Sequence, residues 1–311
     1  MSSVVGRFAP SPSGRMHLGN LFSALLAWLS VRAQNGMMVL RMEDLDPQRT
    51  NRERAQALEH DLSLFGLDWD MGGSKGGPHA PYYQSERSAY YQSVLDRLDG
   101  MGLIYPCFCT RAQLHAANAP HASDGELIYD GSCRNLSKEE ITTRCQSRSP
   151  ALRLRVPDKI ITINDLHYGS VAQNLKTDCG DFILQRSDGV FAYQLAVVAD
   201  DAAMGITQIV RGRDLLSSAP RQAYLFELLG APTPQFAHIP LLLAPDGHRL
   251  SKRESDISLD ALLSQGKSPQ SILGKLAYIA GLIDRPEPVT AQDLIPHFSW
   301  SKIPHRDIVL R

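Results

Sequence analysis

Strand-like and helix-like segments alternate through the first hundred residues, and that alternation restricts the chain to a parallel sheet wrapped by helices. The short β-branched run SVVGRFA stops at Pro10. Residues 18–34 (LGNLFSALLAWLSVRAQ) then carry Leu21, Leu25, Trp28 and Leu29 at helical spacing, and MMVLRME reads as a second buried strand. A strand, a crossover helix and a strand form a βαβ unit, whose pairing is parallel and whose crossover is right-handed. The next helix sets Ala55, Leu58, Leu62 and Phe65 on one face. In open parallel sheets ligands bind beyond the carboxyl ends of the strands, where a helix start offers unpaired N–H groups to an anion. The stretch APSPSGRMHLG, with Pro10, Pro12, Gly14, His17 and Gly19, falls at such an end.

The alternation stops near Tyr105. Residues 107 to 133 are rich in Cys, His, Asn and Ala, after which ALRLRV (151–156) and IITIND (160–165) alternate as exposed strands do. Asp188-Gly189 supplies a turn. Beyond it FAYQLAVVADDAAMG, ITQIVRG and SAPRQAYLFELLG read as helix, strand and helix, so the parallel sheet resumes. These shifts divide the chain into a first half of the core (1–103), an insertion (104–190), a second half of the core (191–254) and a short C-terminal helical region (255–311). In the last, Ser268 and Pro269 fit an N-cap and a first helical residue, and Thr290 fits a second cap. MGGSKGGPHAP (71–81), with four glycines, is expected to be a loose loop.

Composition narrows the function. With 311 residues, 43% of them hydrophobic and 21% charged, the chain has the apolar mass for a large core. No apolar run is long enough to cross a bilayer and the N-terminus has no basic-then-apolar leader, which predicts a cytoplasmic protein without a membrane partner. A formal net charge of -1 offers a nucleic acid no global attraction, so any RNA has to be held by local basic patches. Five cysteines without a secretion signal argue against a disulfide framework, yet Cys107, Cys109 and Cys133 lie near one another. Cys145 and Cys179 lack companions and are expected to pack in the interior.

Two motifs carry chemistry. At His17-Leu18-Gly19-Asn20 a histidine could donate to a phosphate at a helix start while Gly19 allows close approach; a capping histidine over a packing glycine accounts for the same letters. In DGHRLSKRESD (246–256) an Asp-Gly turn precedes His248, Arg249, Ser251, Lys252 and Arg253. Such a cationic loop suits charge accumulating on a transferring phosphate, or is a solvated basic loop. Together, on a split parallel sheet, the two resemble the HIGH and KMSKS signatures of class I aminoacyl-tRNA synthetases. RFAPSPSG, LRMEDLDPQR, VVADDAAMGITQIVRGRDLL and RLSKR resemble the glutamyl branch of that class, and the resemblance spans roughly residues 5 to 255. Two letters depart from it: Asn20 stands where the last signature histidine is expected, and Arg249 where the first lysine is.

The resemblance implies an α/β fold with a class I Rossmann-type parallel sheet, a zinc-bearing insertion and a short helical tail, and it implies an ATP-dependent ligase. By the same resemblance His17, Gly19 and Lys252 are catalytic, and His17, Gly19, Asn20, Ser251 and Lys252 hold Mg2+-ATP. Arg7, Ser11, Glu43, Tyr193 and Arg211 are the glutamate contacts. Charge agrees, because glutamate carries two carboxylates and an ammonium, which need cationic forks and one anion. A buried guanidinium at 211 also disfavours glutamine, whose neutral amide would leave that charge uncompensated.

Three thiolates suit Zn2+, but a closed structural site takes four ligands, and Tyr129, His115 and His121 are candidates for the fourth. The resemblance picks Tyr129, giving one structural zinc per chain on Cys107, Cys109, Tyr129 and Cys133. About 55 residues follow the lysine loop, too few for the helical anticodon-binding region of a full glutamyl synthetase at typical domain sizes. The chain is in this respect similar to the short paralogues of the branch. That implies ATP, L-glutamate and the anticodon stem-loop of tRNA(Asp) as partners, a queuosine diol as the acceptor, and a monomer. Arg134, Arg153 and Arg155 are the expected phosphate contacts. The alternatives are a short synthetase that charges a tRNA acceptor end and a catalytically silent RNA-binding paralogue.

Overall fold

A computed structural model describes residues 3–14, 16–46, 50–110, 128–248, 250 and 259–310. Arg249, Ser251, Lys252 and Arg253, and His115 and His121, lie outside the described residues. The chain opens with β1 (Val5–Phe8), α1 (Leu18–Arg32), β2 (Met37–Leu40), α2 (Arg52–Leu64), β3 (Met71–Gly72) and α3 (Ser88–Gly100). β1 and β2 pair in parallel from Val5–Met37 to Phe8–Leu40, the βαβ unit read from the sequence. α1 is apolar on nearly every side, and Leu21, Leu25, Leu26 and Leu29 are fully buried, as a helix of that pattern must be.

The glycine-rich stretch 71–81 is pinned, where the sequence suggests slack. β3 pairs with β2, Trp69 Nε1 donates to the Gly72 carbonyl (3.1 Å), and Ser74 N donates to Glu59 Oε1 (2.9 Å). Gly72 has φ +91°, and a Cβ there would strike the Leu40 carbonyl, so this glycine serves close strand approach.

Next come β4 (Ile104–Cys107), α4 (Lys138–Cys145), β5 (Ala151–Leu154), β6 (Ile160–Asp165), β7 (Gly169–Asn174) and β8 (Ile183–Gln185). These strands pair antiparallel, β4–β5–β8 in one sheet and β6–β7 as a hairpin. α5 (Tyr193–Ala203), β9 (Gln208–Gly212), α6 (Ala219–Leu228) and β10 (Gln235–Ile239) return to the parallel sheet, whose order is β10-β9-β1-β2-β3. The order reverses between β1 and β9, the switch point at which open α/β sheets form a ligand crevice.

β11 (Leu242–Leu243), α7 (Leu259–Ser264), α8 (Pro269–Ile279), α9 (Ala291–Leu294) and β12 (Ile308–Val309) complete the described chain. Ser268 and Thr290 cap α8 and α9, accepting from Ser271 N and Asp293 N. The tail is not helical throughout. β12 pairs in parallel with β11, and Ile272, Leu273, Leu276 and Leu294 join the apolar core built around α1. Among the described residues no helix is long and apolar enough to cross a membrane.

Candidate active site and cysteine cluster

The ends of β1 and β9 and the start of α1 border a cleft of ≈ 480 Å³ lined by Arg7, Ser11, His17, Gly19, Asn20, Glu43, Tyr193 and Arg211. Every described residue that the sequence associates with glutamate or ATP thus faces one cavity. His17 is the N-cap of α1. Its Nδ1 accepts from Gly19 N (3.1 Å) and Asn20 N (3.3 Å), and Asn20 Oδ1 accepts from His17 N (3.3 Å), a reciprocal capping box. Because Nδ1 accepts, the proton of a neutral imidazole sits on Nε2, the donor edge of the ring. A Cβ on Gly19 would stand 3.0 Å from His17 Cε1, so glycine gives the imidazole room to fold over the helix start. Capping therefore uses the Nδ1 edge of the ring, and its N–H lies on the opposite edge. Asn20 completes the box through its amide oxygen.

Glu43 lies three residues beyond the last residue of β2, Leu40, and so past the strand on which the sequence set it. Its position is fixed by an ionic cluster. Arg41, fully buried, donates from Nη1 to Asp201 Oδ1 (2.6 Å) and from Nη2 to Glu43 Oε1 (3.2 Å), and its Nε is 3.5 Å from Asp200 Oδ2. Asp200 also receives Arg87 Nε (2.6 Å), Gln84 Nε2 (2.9 Å) and the Tyr91 hydroxyl (2.8 Å), while Asp201 reaches Arg7 Nε at 3.5 Å. Burial opposes the charge on Arg41, but Asp201, Asp200 and Glu43 outweigh it and raise its pKa. Burial also pushes the Glu43 carboxyl above its ordinary value, against the pull of Arg41 and Arg7. The sequence reading missed this cluster. Its signal was the pair Asp200-Asp201 inside an otherwise apolar helix, where a buried carboxylate must be paired.

Arg211 is held by neutral groups. Nε donates to His238 Nε2 (2.9 Å), Nη1 to Gln222 Oε1 (2.7 Å) and Nη2 to the Leu215 carbonyl (3.1 Å). Burial lowers its pKa, with Tyr193 opposing, and burial raises that of Tyr193. His238 Nδ1 lies 2.6 Å from Asp165 Oδ2. Burial lowers the His238 pKa to about 4 despite that carboxylate.

The Sγ atoms of Cys107, Cys109 and Cys133 lie within 4.8 Å of one another, those of Cys109 and Cys133 3.6 Å apart, and could hold a metal ion. The Tyr129 hydroxyl is 3.5 Å from Cys107 Sγ and 3.7 Å from Cys109 Sγ. A tetrahedral ion with the Zn–S and Zn–O bond lengths of protein zinc sites needs S···S edges of about 3.8 Å and S···O edges of about 3.5 Å. The Cys109–Cys133 edge and the Tyr129 edges to Cys107 and Cys109 fit those lengths. Without a cation, burial and the neighbouring Cys107 push the Cys109 thiol up to about 12, and burial and Cys107 push the Tyr129 phenol up. A divalent ion reverses both effects.

Arg153, expected as a phosphate contact, lines the groove between cleft and cluster but is not exposed. It is buried, lies 3.8 Å over the Tyr129 ring and donates to the Asp181 carbonyl (2.6 Å), so it braces the cluster. Cys179 is buried as expected, whereas Cys145 is exposed at the end of α4, a helix with no fully buried residue whose Ile141 alone packs against the cysteine cluster. A groove of ≈ 650 Å³ runs from Ser11, Glu43 and Tyr193 to Cys107 and Cys109, joining cleft and cluster.

A split parallel sheet with a capped helix start and a charged cleft at its switch point defines an open α/β ligand-binding domain, and similarity to known proteins gives its class as the class I aminoacyl-tRNA synthetases. The family model described as tRNA synthetases class I (E and Q), catalytic domain, matches residues 3–302. The glutamyl-Q tRNA(Asp) synthetase of Symbiobacterium thermophilum is 48% identical over 309 residues, 98% of this chain and 95% of that protein. That of Nitratidesulfovibrio vulgaris is 47% identical over 308 residues, with the same coverage of 98% and 95%. A glutamate tRNA ligase from Elizabethkingia meningosepticum, solved in complex with its amino acid, superimposes with a TM-score of 0.85 at 29% identity, over 100% of this chain and 67% of that one. The chain belongs to the class I synthetases for glutamate and glutamine and, within them, to the glutamyl-Q tRNA(Asp) synthetase family.

Proposed function

We propose that this chain activates L-glutamate with Mg2+-ATP and transfers the glutamyl group to the queuosine diol in the anticodon loop of tRNA(Asp). The charge pattern of the cleft carries the proposal: two guanidinium groups, Arg7 and Arg211, and one carboxylate, Glu43, face a single cavity at the switch point. Arg7 and Arg211 suit the two carboxylates of glutamate, Glu43 suits its ammonium, and Ser11 and Tyr193 add hydroxyl contacts. A carboxylate oxygen of glutamate attacks the α-phosphorus and pyrophosphate leaves. His17 Nε2–H and the first amides of α1, with Gly19 and Asn20, meet the phosphate charge, joined by Ser251 and Lys252, which follow β11 in the sequence. The diol hydroxyl then attacks the carbonyl of the mixed anhydride, AMP departs, and the hydroxyl proton is lost. Mg2+ enters with ATP as part of the substrate and offsets phosphate charge.

Cys107, Cys109, Tyr129 and Cys133 would hold Zn2+ in this reading, and its role would be structural, tying β4 to the segment around Tyr129 and Cys133. The groove between cleft and cluster suits an RNA loop, and the chain matches 95% of the glutamyl-Q relatives' length but 67% of the glutamate ligase's. A monomer suffices, since both sites are built within one chain.

Glutamate-dependent ATP–pyrophosphate exchange without RNA is expected, and glutamine should not support it. Labelled glutamate should enter a queuosine-bearing tRNA(Asp) that lacks its terminal adenosine. Labelling confined to an intact acceptor end would overturn the acceptor. Metal analysis of protein purified without chelator should find one zinc per chain, and finding none would remove the zinc assignment.

A further inference from the structure

The ring and amides around Arg211 form a support of unusual charge. Arg211 can only donate, so His238 Nε2 must present its lone pair, and His238 Nδ1 must carry the proton that it gives to Asp165 Oδ2. A doubly protonated imidazole would oppose N–H to N–H. His238 is therefore a neutral spacer that keeps the Asp165 carboxylate one ring away from the guanidinium. Asp165 is occupied elsewhere too, accepting from the backbone N–H groups of His167 (3.0 Å), Tyr168 (2.9 Å) and His238 (3.1 Å). On the other side, Gln222 Nε2 donates to Gln194 Oε1 (2.7 Å) and Gln194 Nε2 to the Ser218 hydroxyl (3.2 Å), which fixes the amide of Gln222 with its oxygen toward Arg211. His238, Gln222 and Ser218 are all buried, so water does not take over these roles.

We infer that His238, Gln222 and Asp165 are positioning residues that hold Arg211 in place while leaving its charge uncompensated, and so set the preference for an anionic substrate side chain over its neutral amide. The inference rests on the glutamate reading of the cleft. Among the described residues no carboxylate hydrogen-bonds to this buried cation and Asp201 acts on it only at a distance, so a carboxylate ligand brings a contacting counter-charge whereas a carboxamide does not. The support crosses the chain: Asp165 ends β6 of the antiparallel hairpin and lies 73 residues from His238 in β10. The hairpin thus reaches, through one imidazole, the group proposed to recognise the substrate.

The test is Gln222→Glu, a near-isosteric change that brings a carboxylate to Arg211 Nη1. In ATP–pyrophosphate exchange the KM for glutamate should rise at least about tenfold, and the preference for glutamate over glutamine should fall by at least about tenfold, with the KM for ATP unmoved. Gln222→Met, which removes the acceptor without adding charge, should keep the glutamate preference within about threefold of wild type. Should Gln222→Glu fail to fold, His238→Gln carries the test: it keeps an acceptor for Arg211 but drops the link to Asp165, and should raise the glutamate KM several-fold and leave the ATP KM alone. Equal shifts in both KM values, or a wild-type glutamate preference in Gln222→Glu, would overturn the inference. Arg211→Gln separates the two levels. If it leaves the glutamate KM unchanged, the glutamate site itself is wrong; if it raises that KM while Gln222→Glu does not, only the neutral support falls.

Discussion

Arg41 and Arg211 are both buried guanidinium groups at the parallel sheet, and their surroundings are opposite. Arg41 meets three carboxylates, those of Asp200, Asp201 and Glu43, whereas Arg211 meets an imidazole, a carboxamide and a backbone carbonyl. The first charge is neutralised inside the protein and ties β2, α3 and α5 together through Asp200 and Arg87. The second is withheld. A charge satisfied internally builds structure, and a charge left over is available to a ligand.

The contrast can be broken from the Arg41 side first. Asp200→Ala removes the shared acceptor of Arg41, Arg87, Gln84 and Tyr91, and the stranded buried charges should cost about 3–5 kcal/mol in urea unfolding, while the folded fraction keeps its glutamate preference. Acid probes the other side. His238 is held at about 4 against an ordinary 6.5, so below pH 6.5 the unfolded chain binds a proton that the folded chain refuses. Stability attributable to this ring is intact above pH 6.5 and drains, by on the order of 3 kcal/mol, as pH falls toward the folded value. Asp165, held below its ordinary value of 3.8 against a burial effect by its hydrogen bond from His238, adds to the loss only at still lower pH. His238→Gln should remove the portion of the slope between pH 6.5 and about 4, read as unfolding midpoint against pH.

Arg211→Met sharpens the difference in function. Losing the guanidinium strands the buried acceptors of His238 and Gln222 and should cost about 1–3 kcal/mol, less than the Asp200 lesion, yet glutamate-dependent exchange should fall about a hundredfold, the range for loss of a preorganised charge partner. The smallest effect belongs to the helix start. Asn20→Ala opens one half of the capping box and should cost about 1 kcal/mol in thermal unfolding, with a modest loss of exchange activity through the orientation of His17.

The sequence made legible what is local or carried by a motif. The βαβ unit, the caps at Ser268 and Thr290 and the residues lining the cleft all leave short-range signatures in spacing or in a quoted string. What escaped depends on partners far apart in the chain. Asp200 and Arg87 are 113 residues apart, and His238 sits in the apolar strand QFAHI with nothing nearby to announce Asp165. Adjacent aspartates in LAVVADDAA could have signalled a buried ion pair, but not its partner. The glycine stretch 71–81 misled because glycine permits slack and close approach alike, and only the Leu40 carbonyl distinguishes them. Cys145 misled because burial of a lone cysteine is a tendency of the residue type, and α4 has no buried face to receive it.

β12 has a consequence for handling the protein. Ile308 N donates to the Leu241 carbonyl and Leu310 N to that of Leu243, each at 2.9 Å, while Asp307 receives Leu241 N at 2.9 Å and Arg213 Nε at 2.8 Å. Leu241 and Leu242 are walls of the cleft, and the chain runs from β11 into the stretch that holds Lys252. Residues 307–310 are therefore a fastening for the cleft wall, although none of these four is among the residues that line the cleft. Trimming at residue 306, or fusing a rigid tag directly to Arg311, would mimic an active-site lesion in an assay. A flexible spacer ahead of any C-terminal fusion keeps that fastening intact.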